Sequence, residues 1–154
     1  MYDVADAAMF IVNCTVGRAI ETGDEARYID FVQLHKLLYL AQCEMMRQYG
    51  QPLFGGTILA RPSGAYVDKI SFVVRQKGFS KIKVPFTEEE FVRPSYRRVK
   101  VVKQILDEYG RKDVPELCFL TMNTPGYRTA MARKSGEEDP EILLSYMPTP
   151  STQK

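Results

Sequence analysis

The residue types that most often carry chemistry are scarce in this chain of 154 residues, which has one histidine and three cysteines. Cys14, Cys43 and Cys118 form no C-x-x-C pair, and each has apolar neighbours. An odd, scattered set of this kind is typical of reduced, buried thiols in an intracellular protein. With only His35 to add a nitrogen ligand, the usual zinc constellations are hard to build. The sequence therefore predicts no metal site and no cofactor.

Familiar catalytic motifs do not occur in the sequence. It contains no G-x-x-x-x-G-K-[ST], no G-x-G-x-x-G and no G-x-S-x-G, so the common routes to phosphate binding or serine acyl transfer are unmarked. A Cys–His pair that includes His35 stays open, because such partners meet in space rather than in sequence. An enzyme with Cys43 as its nucleophile is a third hypothesis, behind the two developed below. We therefore expect no catalytic residues.

The segment that carries His35 has the clearest helical pattern in the chain. Asp30 with Gln33 three residues later predicts a capping box, and Gly50 with Pro52 just beyond predicts the helix end. Between them, apolar side chains cover most of the circumference, which is typical of a helix at the centre of its domain. We expect a central helix at about 30–49, with the other helices packed around it.

The rest of the chain predicts a mainly α, single compact helical domain with two or three short β-strands. This domain is expected over residues 1–146, followed by a flexible tail over 147–154, which is rich in Pro, Thr and Ser. Apolar spacing and turn residues predict helices over 3–19, 65–77, 95–109, 114–122, 125–133 and 140–146, and strands over 57–60 and 81–84.

Composition narrows the class of protein. Apolar residues make up 45% of the chain and charged residues 26%, which excludes wholesale disorder. No apolar run approaches the roughly 18–20 residues that a membrane span needs, and the N-terminus lacks a basic stretch followed by an apolar one. We expect a soluble, cytoplasmic protein without a membrane partner.

The net charge of +2 is unevenly distributed along the chain. Residues 61–103 hold 11 basic and four acidic residues, a net charge of +7, whereas the segments before and after carry −3 and −2. Three readings stay open: a solvated helix face, a surface for an acidic protein, or a nucleic-acid surface with Tyr96 available for stacking. The basic patch consists of Arg93, Arg97, Arg98, Lys100 and Lys103.

A polar strip interrupts the apolar surface of the central helix. His35, Tyr39, Gln42 and Met46 follow one another at i, i+4, i+7 and i+11, which places them on one flank. One interpretation is a buried hydrogen-bond network that fixes helix packing. A second is a groove facing a ligand or partner, with Lys36 beside it, and a third is a catalytic histidine.

The segment after the first predicted strand is a second candidate site. Gly64 could serve only to permit a turn with positive φ. Alternatively, Arg61, Ser63, Gly64 and Tyr66 could form a contact surface.

Several segments together resemble one known family. Residues 32–42 read V-Q-L-H-K-L-L-Y-L-A-Q, and residues 49–54 read Y-G-Q-P-L-F. Tyr2-Asp3-Val4-Ala5 is similar to the family's opening, residues 60–67 stand in place of a segment like A-W-K-Y-G-P-V-V, and E-L-C-F-L-T at 116–121 is similar to a later segment. This ordered series resembles the Panacea domain, the family of SocA-like antitoxins and GepA-like phage-associated proteins.

The chain departs from the family pattern at four positions. His35 stands where glutamine is usual, Ala65 replaces a proline, Met122 stands where histidine is common, and Tyr127 stands for tryptophan. What the resemblance implies is a non-enzymatic antitoxin that inhibits a cognate toxin directly or delivers it to a protease.

Contact with the toxin is expected around the central helix and the loop from Arg61 to Tyr66. The alternative hypothesis is a phage-associated or nucleic-acid-associated regulatory protein that uses the basic segment 93–103.

Overall fold

A computed structural model describes residues 1–73 and 80–152. It is mainly α with one small sheet, as the sequence predicts. The helices are α1 (Val4–Thr22), α2 (Phe31–Tyr49), α3 (Tyr96–Tyr109), α4 (Val114–Met122) and α5 (Pro125–Ala132), and the strands are β1 (Ile58–Arg61) and β2 (Gly64–Val67).

Polar caps fix where the two long helices begin. The Asp3 side chain accepts a hydrogen bond from the N–H of Ala5 at the start of α1. At the start of α2, the Asp30 carboxylate accepts from the N–H of Gln33, and the N–H of Asp30 donates to the Gln33 side chain. These bonds satisfy N–H groups that have no partner within the helix. The predicted capping box is therefore confirmed, and α2 ends at Gly50, whose φ is 65°.

Helix α2 is the centre of the domain, as its wide apolar surface predicts. It packs against α1, α3, α4 and β2, and Leu34, Leu37, Leu38 and Ala41 are fully buried. Burying each leucine side chain contributes roughly 1.5–3 kcal/mol relative to leaving it exposed. The central position of α2 thus places the polar residues on its surface next to the neighbouring helices and β2.

The two strands form an antiparallel hairpin. Ile58 pairs with Val67 and Arg61 pairs with Gly64, so Pro62 and Ser63 form a two-residue turn. The backbone near residue 141 runs along the other side of β1, where the N–H of Ala60 donates to the carbonyl of Pro140 and the N–H of Ile142 donates to that of Ile58. The predicted strand at 57–60 is confirmed, with bounds shifted by one residue.

Three predicted elements are wrong. Residues 65–67 lie in β2, not in a helix, because the turn at 62–63 returns the chain onto β1; residues 74–77 lie outside the described residues. Residues 81–84 form no strand but one isolated bridge, Ile82 with Ile29. Residues 140–142 are extended because their backbone bonds to β1, so only a 3-10 turn at Leu144–Tyr146 remains of the last helix.

Residues 147–152 lie against the helical core at two points. Met147 is buried, and a 3-10 turn at Pro150–Thr152 contacts α2. Flexibility of the tail over 147–154 stays a prediction. Within residues 1–73 and 80–152, none of the helices is long and apolar enough to cross a membrane.

Candidate partner-binding surface

The hairpin lies tightly against α4, and Gly64 makes this approach possible. Gly64 has a φ of 117°, and a Cβ atom there would lie 2.5 Å from Oγ1 of Thr121. The N–H of Ala65 donates to the same Oγ1 at 3.2 Å, and that hydroxyl donates to the carbonyl of Cys118 at 2.9 Å. Both the backbone conformation and the contact distance therefore require glycine. This favours the interpretation of Gly64 as a turn residue.

Four side chains form a stack from the hairpin surface into the interior. The Arg61 guanidinium carbon lies 3.5 Å from the centroid of the Tyr66 ring. The Tyr66 ring stacks on His35 with centroids 4.2 Å apart, and the His35 and Phe31 rings form a T-shaped pair with centroids 4.5 Å apart. Arg61 also approaches the carboxylate of Asp139 at 3.5 Å. The stack connects a half-exposed cation to the first turn of α2.

His35 is a buried, neutral residue in this stack. Its Nδ1 accepts a hydrogen bond from the N–H of Val67 at 2.9 Å, which places the proton of the neutral ring on Nε2. The Nε2 atom is buried without a partner among the described residues. Burial, together with the positive charges of Lys36 and Arg61, lowers the pKa of His35 to about 3.

Lys36 extends under the hairpin. Its Nζ donates to the carbonyl of Ala65 at 2.7 Å, and the side chain is buried. Burial lowers the pKa of Lys36, the Cys118 thiol opposes that shift, and the positive charge of Arg61 adds to it. Lys36 thus holds β2 against α2 through a charge-assisted bond.

Tyr39 and Gln42 also hold neighbouring segments of the fold. The Tyr39 hydroxyl lies 2.6 Å from that of Thr124, the N-cap of α5. Gln42 binds the backbone of residues 53–54 through both ends of its amide. Both side chains are fully buried. The geometry therefore favours the buried hydrogen-bond network over a groove in which His35, Lys36, Tyr39 and Gln42 contact a partner directly.

The exposed part of this region is the hairpin turn together with the outer side of α4. Pro62 and Ser63 are exposed, and the hairpin that carries them packs on α4 at Cys118 and Thr121. On the outer side of that helix, the Phe119 side chain is 65% exposed and Met122 is 36% exposed. We call Pro62, Ser63, Phe119 and Met122 the hairpin–α4 surface. Its α4 part, Phe119 and Met122, is apolar, whereas the exposed face of a helix is usually polar.

Sequence reasoning missed Phe119 as a candidate. The signal was present, because the nine residues V-P-E-L-C-F-L-T-M of α4 are apolar around most of the helix. A short helix at the edge of a domain can bury only one face, and here only Leu117 and Thr121 are buried. Of the other apolar residues of α4, some are half-buried, whereas Phe119 and Met122 are exposed.

The structure divides the basic patch into two parts. Arg98 points toward the interior, where it donates to the carbonyls of Leu53 and Pro52 and to the hydroxyl of Ser95. Arg93, Arg97, Lys100 and Lys103 are exposed. Arg98 therefore anchors the segment after α2, and the other four can meet a partner.

All three cysteines are half-buried. Burial raises the pKa of the Cys43 thiol to about 12, with a hydrogen bond from Tyr39 acting in the opposite direction. Burial also raises the pKa of Cys14. In the part of the chain that the structure describes, no group of three His, Cys, Asp or Glu side chains could hold a metal ion.

A helical domain built around α2, with a hairpin held on its surface by the bonds of Lys36 and His35 to β2, defines the class of fold. Residues 34–126 match the family model described as antitoxin SocA-like, Panacea domain. The match covers more than half of the chain, from α2 through the hairpin and α4, so the chain belongs to this family. No curated protein and no solved structure gives a significant match.

Proposed function

We propose that this chain is a cytoplasmic antitoxin that binds a cognate toxin protein through the hairpin–α4 surface. Membership of the SocA-like Panacea family supports an antitoxin role. The observation that carries the choice of surface is the exposed apolar side of α4 beside the hairpin turn. Apolar and aromatic side chains at the centre of an interface contribute most of its binding energy.

The chemistry of the interior supports a protein that acts by binding rather than by catalysis. A general acid–base residue works best with a pKa near the working pH, and the pKa of His35, at about 3, is far below it. A cysteine nucleophile must ionise, and the pKa of Cys43, at about 12, opposes this. We therefore propose that the protein is not an enzyme.

Both modes of neutralisation begin with the same contact. Direct inhibition requires that the antitoxin cover a functional surface of the toxin, and delivery to a protease requires that it hold the toxin while a protease component binds elsewhere. The hairpin–α4 surface is proposed for the toxin in either mode. The lifetime of the toxin in growing cells separates the two, since only delivery shortens it.

The test is co-expression with the product of the adjacent open reading frame. The wild-type chain should restore growth and co-purify with the toxin. Phe119→Ser should weaken the complex at least tenfold, because truncating an aromatic residue at the centre of an interface costs about 2 kcal/mol or more, and about 1.4 kcal/mol is tenfold. The matched control is Ile20→Ser on α1, since Ile20 is 67% exposed and Phe119 is 65% exposed.

Two results would overturn the proposal at different levels. If both variants bind the toxin as tightly as the wild type, the hairpin–α4 surface is not the contact. If the wild-type chain neither restores growth nor co-purifies with its neighbour, the antitoxin role itself fails. Thermal unfolding of Phe119→Ser should match that of the wild type within a few degrees, because an exposed side chain contributes little to folding.

A further inference from the structure

We propose that α3, up to Lys103, and Arg93 just before it form a second, independent binding surface that takes single-stranded nucleic acid. This α3 surface consists of Arg93, Tyr96, Arg97, Lys100 and Lys103. It does not depend on the antitoxin proposal, because it uses none of the residues of the hairpin–α4 surface.

The four cations of the α3 surface, Arg93, Arg97, Lys100 and Lys103, are exposed. Within residues 1–73 and 80–152, none of Arg93, Arg97, Lys100 and Lys103 forms a salt bridge, whereas the exposed Arg111 and the half-buried Arg18 and Lys112 each do. On α3, carboxylates appear only further along, at Asp107 and Glu108, and Asp107 pairs with Arg18. The charge of the α3 surface is therefore available to an external anion.

The backbone adds to this positive charge. Helix α3 begins after Ser95, whose hydroxyl makes no bond to a helix N–H and instead accepts from Arg98. In contrast, α1, α2, α4 and α5 are each capped by a side chain. No acidic residue lies in the first turn of α3. Cations beside the positive end of a helix dipole are unfavourable, and a bound phosphate would offset that repulsion.

The aromatic side chains favour nucleic acid over an acidic peptide. The Tyr96 side chain is 81% exposed, between residues that carry the positive charge. The Arg97 guanidinium carbon lies 4.9 Å from the centroid of the Tyr49 ring, which orients it at the surface. Aromatic rings beside cations provide stacking for bases and contacts for phosphates along one strand. A carboxylate-rich peptide has no group that requires the exposed ring.

The two proposed surfaces lie at opposite ends of α2. His35 contacts the hairpin and Tyr49 contacts Arg97. These residues are 14 positions apart, which corresponds to about 21 Å along a helix axis. The two surfaces therefore occupy separate parts of the domain.

The experiment measures fluorescence anisotropy of labelled single-stranded oligo-dT and oligo-rU of about 16 nucleotides, across a range of salt concentrations. We expect binding at low salt that weakens with a slope of log affinity against log salt near −3, since four phosphate contacts give about −0.7 each on a single strand. Arg97→Gln and Lys100→Gln should each reduce the slope by about 0.7. Tyr96→Ala should weaken binding about tenfold, whereas Tyr96→Phe should keep it.

Arg128→Gln is the matched control, because Arg128 is an exposed cation on α5 outside the α3 surface. It should leave both affinity and slope unchanged. Absence of binding at 20 mM salt would overturn the proposal. So would binding of polyglutamate as tight as that of the oligonucleotides with no effect of Tyr96→Ala, which would assign the α3 surface to an acidic protein. Tighter binding of a duplex than of a single strand would contradict the stacking role of Tyr96.

Discussion

Gln42 and Phe54 form a closed pair of hydrogen bonds in the interior of the domain. The Gln42 Nε2 donates to the carbonyl of Phe54 at 3.0 Å, and Oε1 accepts from the N–H of Phe54 at 3.1 Å. The same oxygen accepts from the N–H of Leu53 at 2.7 Å. Gln42, at the end of the segment 32–42, therefore ties α2 to the Y-G-Q-P-L-F segment at 49–54.

Replacing Gln42 should test how much these hydrogen bonds contribute to the stability of the fold. Gln42→Leu leaves two buried N–H groups and one carbonyl without partners, and each costs about 1–3 kcal/mol. We expect the free energy of unfolding to fall by at least about 3 kcal/mol in urea denaturation. Gln48→Leu is the control, because Gln48 bonds only to the side chains of Glu44 and Gln104, and it should change stability by less than about 1 kcal/mol. Equal losses would contradict the assignment.

The close contact between the hairpin and α4 gives a second prediction. Gly64→Ala should lower the free energy of unfolding by about 2 kcal/mol or more, because it combines a positive φ with a close contact to Thr121. Gly17→Ala is the matched change, since nothing lies within 4 Å of its Cβ position on α1. There alanine should stabilise by about 0.5–1 kcal/mol. Thermal unfolding measures whether the two substitutions change stability in opposite directions. If Gly64→Ala left the stability unchanged, the hairpin would be able to shift away from Thr121.

Local signals predicted the helices of this fold well. Asp30 with Gln33, Asp113 with Glu116, and Thr124 with Pro125 each mark a helix start that the structure has, because capping is a contact between near neighbours in sequence. The errors lie where distant segments decide. Residues 140–142 are extended because they bond to β1, about 80 positions earlier, and no local pattern contains that partner.

The sequence predicted which side chains of α2 lie together but not that they face the interior. The spacing placed His35, Tyr39 and Gln42 on one flank of α2. The spacing could not show that β2, the start of α5 and residues 53–54 pack over that flank, because each of these contacts joins segments that are distant in sequence. Exposure of Phe119 follows from the number of apolar residues in a short helix, which was visible in the sequence.

Thiol labelling gives a third prediction. With a pKa raised to about 12, Cys43 holds little thiolate at pH 7. Iodoacetamide should therefore modify Cys43 in the native protein at least a hundredfold more slowly than in urea-unfolded protein, as measured by mass spectrometry of tryptic peptides. Cys43→Ser should leave toxin binding unchanged. Rapid native labelling of Cys43 would revive the hypothesis of a cysteine nucleophile.

Because the chain has a single histidine, the effect of histidine protonation on stability can be assigned to one residue. The pKa of His35 is lowered from 6.5 to about 3 in the folded chain, so between these values the unfolded chain binds one proton more than the folded chain. Stability is then lost as the pH falls below 6.5, by up to about 1.4 kcal/mol per pH unit. Urea unfolding of wild type and His35→Gln at pH 7.0, 6.0 and 5.0 measures the difference.

Between pH 6.5 and 5.0 the free energy of unfolding of the wild type should fall more steeply than that of His35→Gln, by up to about 1.4 kcal/mol per pH unit. The carboxylates titrate alike in both proteins, so their contribution cancels in this difference. Glutamine can still accept from the N–H of Val67, so the variant should fold. In nuclear magnetic resonance spectra, the His35 ring signals of the native protein should not shift between pH 8 and pH 5. A ring that titrates near 6.5 would mean that His35 is reached by water, and the hairpin would then open far more readily than its buried contacts indicate.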